Sequence, residues 1–215
     1  MGSLEPVGGF RLQPPQQHIH LVARPALLGA LDQALQRRLL LLLAPAGYGK
    51  TTLLSQWRAS LHARGDTVAW LTLDEQSGSA SALLAAIIHA LSAAGVNLGE
   101  LATAPLQMLD RFGPARTFDI LMSALDRVEP GIVLIVDDYH FAQTAETDDL
   151  VAMFIRRTRD TVHLVIASRF RPGLVLPALR AQGQVRELGV AQLRFRMTRR
   201  ANCWGPRSAM PMPRR

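Results

Sequence analysis

An α/β three-layer sandwich around a mostly parallel, five-stranded sheet is predicted for this chain by three observations. Short runs of leucine and β-branched residues alternate with longer amphipathic stretches along most of its length. The runs are apolar at consecutive positions, as in strands buried on both faces. A glycine-bearing segment follows one run and an acidic pair follows another, at the strand ends where such sheets form their crevice.

The first strand is residues 39–43, five leucines in succession. Ala44-Pro45-Ala46-Gly47-Tyr48-Gly49-Lys50-Thr51-Thr52 comes next, and an amphipathic helix over 53–63 follows. A backbone that turns from strand to helix through glycines aims several N–H groups at one spot, and the positive end of the helix dipole adds to them. A polyphosphate fits there. This is a phosphate-binding loop, so the fold is that of the P-loop NTPases and the expected cofactors are ATP and Mg²⁺. Pro45, Ala46, Gly47, Tyr48, Gly49, Lys50, Thr51 and Thr52 form the expected cradle, with Lys50 reaching the β/γ-phosphates and the Thr51 hydroxyl ligating the metal. Ala44 stands where the pattern G-x-x-x-x-G-K-[ST] has its first glycine.

Residues 67–73, with Val68 and Trp70, read as the second strand, and 79–94 as a helix whose portion 82–91 is apolar enough to be core. A helix over 115–128 leads into the third strand, 132–136, which ends in Asp137-Asp138. Phosphoryl-transfer sites use one acid to hold Mg²⁺ and another to orient the attacking water. Asp137 is assigned to the metal and Asp138 to the water. Helix 148–157, a fourth strand over 162–167 ending in Ser168-Arg169, a short helix over 177–181 and a fifth strand over 184–188 complete the alternation.

Taken together, residues 44–57 (APAGYGKTTLLSQW), 68–75 (VAWLTLDE), 133–140 (VLIVDDYH), 163–169 (HLVIASR) and 176–195 resemble the ATPase domain of MalT-type regulators. These are large ATP-dependent transcription activators with a LuxR-type DNA-binding domain, members of the signal-transducing class of P-loop ATPases. The resemblance spans residues 18–195 and implies a sheet in which the fourth strand lies between the first and third. It would aim Arg169 at the γ-phosphate as a nucleotide sensor and set Arg24, of the pair Arg24-Pro25, near the base. Pro25 also suits the first turn of a helix on its own account. Family members couple ATP and an inducer to self-association and then bind promoter DNA. Here DNA contact is expected only through a helix-turn-helix domain missing from the 215 residues. Any turnover is expected to be that of a slow Mg-dependent ATPase, with Asp138, Lys50 and Arg169 as its catalytic residues.

Residues 196–215 depart from this pattern, with six arginines, three prolines, three methionines and no acid. They read as a disordered basic tail. Back-translation permits an alternative frame with an acidic helix start, which raises the expectation of a frame change near Phe195. Those six arginines account for all but +1 of the formal charge of +7, so the net charge makes no case for a nucleic-acid-binding core.

A content of 48% hydrophobic and 19% charged residues suits a globular domain. No apolar run approaches the roughly 20 residues needed to span a bilayer, and residues 1–17 lack a signal-peptide core. They are read as a flexible leader, and the protein is expected in the cytoplasm without a membrane partner. Cys203 is the only cysteine, which excludes an intrachain disulfide. His18 and His20 would point to opposite sides of a strand and make a poor metal pair, whereas His140 follows the acids directly. Trp57 and Trp70 are expected to pack. The competing reading, a stand-alone P-loop kinase or ATPase, would call for a substrate insertion and an arginine-rich closing lid; neither is visible between the later strands.

Overall fold

A computed structural model describes residues 10–15, 24–158 and 160–194. Its sheet has six strands, β1 (Phe10–Arg11), β2 (Leu39–Leu43), β3 (Val68–Leu73), β4 (Ile132–Asp137), β5 (Val162–Ser168) and β6 (Val185–Leu188), in the order β1-β3-β4-β5-β2-β6. The five expected strands are parallel to one another, and β5 lies between β2 and β4. The sixth, β1, falls within residues 1–17, the stretch read as a flexible leader, where no strand was expected. Phe10 and Arg11 pair antiparallel with Leu73 and Thr72, which makes the sheet mixed. The tail, His18, His20 and Phe195 lie outside the described residues.

Seven helices are described: α1 (Pro25–Ala34), α2 (Lys50–Ala63), α3 (Ala80–Ala93), α4 (Pro105–Leu125), α5 (Ala145–Thr158), α6 (Pro177–Ala181) and α7 (Val190–Leu193). Alternation along the strands divides the core into two layers. Leu40 and Leu42 of β2, Val133 and Ile135 of β4, and Val165 and Ala167 of β5 pack with α1 and α2. Leu39 and Leu41, Ile132 and Leu134, and Leu164 and Ile166 face α3, α4 and α5 on the other side. Both faces are therefore covered, which explains why these strands are apolar throughout. The stretch 82–91 of α3 supplies eight fully buried side chains to the second layer.

Trp57 has no exposed surface, and its indole N–H donates to Asp32 Oδ1 at 2.8 Å. That bond ties α2, the helix that begins at the phosphate loop, to α1. Trp70 is equally buried and donates to Thr72 at 2.8 Å. Helix α4 begins ten residues earlier than its periodicity suggests, because Gly113 (φ +73°) and Pro114 interrupt the pattern with a kink. No helix among the described residues is long and apolar enough to cross a membrane.

Candidate nucleotide site

Strand β2 ends at Leu43, and α2 begins at Lys50. Between them the backbone turns at Gly47 (φ +83°) and Gly49 (φ +74°), a conformation that an L side chain adopts only with strain. A Cβ at either glycine would meet nothing within 4 Å, so conformation, not crowding, calls for glycine. Pro45, Ala46 and Gly47 are exposed along the outside of the turn, while Tyr48, Gly49, Thr51 and Thr52 are half-buried.

Lys50 is buried, yet its ammonium is not buried bare. Nζ donates to the Ala44 carbonyl at 2.7 Å and the Pro45 carbonyl at 3.2 Å, so the charge sits within the loop. Burial lowers its pKa from the ordinary lysine value; Arg169 pushes the same way, against Asp137 and Asp138. These four groups thus share one electrostatic neighbourhood.

Asp137 closes the site from β4. Its side chain has no exposed surface, and Oδ2 accepts from the Thr51 hydroxyl at 2.6 Å while Oδ1 accepts from the Asp138 N–H at 3.0 Å. Burial pushes its carboxyl up to about 6, aided by Asp138 and opposed by the two hydrogen bonds and Lys50. The fold therefore holds a carboxylate where negative charge is costly, next to a hydroxyl oxygen.

Asp138 has φ +56°, ψ +36°, the left-handed region that costs an L-residue about 1–2 kcal/mol. It is the one non-glycine residue with positive φ among the described residues. Its carboxylate stays partly exposed while the next residue, Tyr139, is fully buried. His140 lies in the same one-turn 3₁₀ helix, Tyr139–Phe141, with Nδ1 3.8 Å from Asp138 Oδ1. That is an ion-pair distance, too long for a hydrogen bond. Both ring nitrogens are buried without a hydrogen-bond partner, and burial lowers the imidazole's pKa.

Arg169 follows β5, whose last residue pairs with Leu43; the Ala44 N–H extends that ladder to the Ser168 carbonyl at 3.3 Å. This places Arg169 beside the start of the phosphate loop, with its guanidinium 5.8 Å from the centre of the Phe141 ring. Arg24 is engaged elsewhere. Its guanidinium donates to the Leu193 carbonyl and, at 3.4 Å, to that of Arg194, holding α1 to α7 next to β6. Tyr48 of the loop and Leu193 of α7 belong to the same apolar cluster.

Sequence reasoning did not single out Asp148. Its carboxylate accepts from the Tyr139 hydroxyl and the Gly173 N–H, each at 2.7 Å. An acid near a helix start normally reads as a cap or a dipole partner, so nothing local marks this one as buried.

A glycine-shaped strand-to-helix turn, a lysine within it and a buried acid at the next strand but one define a P-loop ATPase domain. Residues 33–175 match the AAA domain family, and the chain belongs to it. The HTH-type transcriptional regulator MalT from two strains of Klebsiella pneumoniae is 33% identical over 185 residues. The match takes in 86% of this chain and 20% of the relative, so the chain spans about a fifth of that protein's length. Among solved structures, the Aeropyrum pernix ORC1 protein in complex with DNA superposes with a TM-score of 0.51 over 77% of this chain and 43% of that one. At 18% identity the likeness is one of fold.

Proposed function

We propose that this domain is the ATP-binding switch of a MalT-like, LuxR-family regulator acting in the cytoplasm. The Thr51–Asp137 contact of 2.6 Å carries the reading, because it joins the helix that starts at the phosphate loop to the acid end of β4. A buried carboxylate beside a hydroxyl suits Mg²⁺, which takes oxygen ligands and is held by one or two protein groups together with substrate phosphates. Open space over Gly47 and Gly49 likewise suits phosphate oxygens close to the backbone.

In this reading the loop amides from Gly47 to Thr51 hold the phosphates, and Lys50 leaves the carbonyls of Ala44 and Pro45 to meet them. Thr51 and Asp137 would hold Mg²⁺, which when bound neutralises charge on the phosphate chain. Asp138, partly exposed and set apart by its unusual backbone, orients water. Arg169 meets the third phosphate, and Arg24 with its α7 junction flanks the base. Self-association follows ATP binding, and DNA reading falls to a helix-turn-helix element outside the aligned residues.

The test is calorimetric titration of Mg-ATP into wild type and Lys50→Ala, with circular dichroism to show that the variant is folded. Wild type is expected to bind and the variant to lose at least roughly a hundredfold in affinity, as removal of a charge-assisted phosphate contact implies. Equal affinities would remove the site.

A further inference from the structure

Resting on the reading of Arg169 as the residue that meets the third phosphate, we infer that Asp148 is a positioning residue that sets Arg169 by tying its loop to the acid turn. The loop runs from Arg169 to Leu176, between β5 and α6. It has no regular structure of its own, so its position must come from contacts.

Those contacts converge on the turn after β4. Phe170 meets His140 edge-on with ring centres 6.4 Å apart, Arg169 lies over Phe141, and Gln143 donates to the Arg171 carbonyl at 3.1 Å. The decisive link is Asp148. One of its oxygens takes the hydroxyl of Tyr139, two residues beyond the metal acid, and the other takes the amide of Gly173, four beyond Arg169. The first of these bonds is fully buried, where hydrogen bonds to a charged acceptor are strong and leaving either partner unmade is costly.

Gly173 shows how closely the loop is drawn in. A Cβ there would lie 2.7 Å from Asp148 Oδ2, so a side chain at this position forces the loop and the carboxylate apart, by a shift of one or the other. The other side of the loop is fastened as well, since Arg171 makes a two-pronged pair with Glu187 of β6 at 2.6 and 2.7 Å, and Arg180 of α6 joins it at 2.7 Å. Asp148 is therefore the link by which a change at the acid turn reaches Arg169, and through Arg171 reaches β6 and α6.

The experiment compares Mg-ATP and Mg-ADP affinities by calorimetry in wild type, Arg169→Ala, Asp148→Ala and the double variant, all as the full chain. Wild type is expected to prefer ATP, and Arg169→Ala to lose that preference by roughly tenfold. Asp148→Ala is expected to lose most of the same preference while its ADP affinity stays within about twofold, and to add nothing in the Arg169→Ala background. Should Asp148→Ala not fold, Tyr139→Phe and Gly173→Ala test the same link with smaller changes. A purely structural role would weaken ATP and ADP alike, or add to the effect of Arg169→Ala, and either result overturns the inference. A wild type that binds neither nucleotide removes the underlying nucleotide site and this role together.

Discussion

The phosphate turn after β2 and the acid turn after β4 stand on either side of β5, and both bring the backbone into the left-handed region, by opposite means. In the first, Gly47 and Gly49 take positive φ in open space. In the second, Asp138 takes it at φ +56° and is followed by the fully buried Tyr139, with His140 and Phe141 in ring contact at 4.3 Å. One turn carries its shape in its own residues, and the other has its shape imposed by the packing of its neighbours. An acid in the left-handed region persists where the surrounding packing over-determines its backbone.

The largest test of that contrast is Tyr139→Ala. Emptying a fully buried aromatic site should cost about 3–5 kcal/mol in urea unfolding and release the acid turn. A cost below about 1 kcal/mol would mean that the turn holds itself.

Next comes Asp137→Asn. In the fold this carboxyl titrates near 6, against an ordinary value of 3.8, so between those pH values the folded protein binds more proton than the unfolded chain. The stabilisation from this group is complete below about pH 3.8 and is lost as pH rises through about 6. Wild type at pH 8 therefore bears the whole cost of a buried charge, and asparagine bears none. The variant should be more stable by on the order of 3 kcal/mol at pH 8, with the gap closing toward pH 4. Thermal unfolding at the two pH values checks this, and an equal gap at both would trace the gain to something other than charge.

The smallest effects come from exchanging the conformational roles. Gly47→Ala should cost about 1 kcal/mol and Asp138→Gly should gain somewhat less than about 1 kcal/mol, since glycine relieves strain but frees the unfolded chain. Chemical denaturation of both variants compares them directly. The same sign for the two would end the distinction.

The same contrast explains what could be read from the sequence. Strand β2 and the bounds of β4, β5 and α6 were legible within a residue, because two-sided burial leaves runs such as 132–136 without a polar break. Lys50, Thr51 and Asp137 were legible as a set, because glycine spacing and a strand-end acid are local patterns. The left-handed Asp138, the Asp148 link and the Arg24–α7 junction were not, since each depends on residues brought together from distant parts of the chain. Strand β1 is two residues long in a segment rich in glycine and proline, too short for any alternation to show. In α4, the sequence signal began only after Pro114, because a kink breaks the 3.6-residue rhythm even where the chain stays helical on both sides.

That two-residue β1 has a consequence for solubility. The outer margin of β3 would otherwise present bare N–H and C=O groups, a template onto which another chain could add itself. Phe10 and Arg11 occupy part of that margin in antiparallel fashion, and Phe10 rests on His89 of α3 with ring centres 5.7 Å apart. The short strand covers the edge at Thr72 and Leu73, and a chain shortened to begin at Arg24 would leave those backbone groups bare as well.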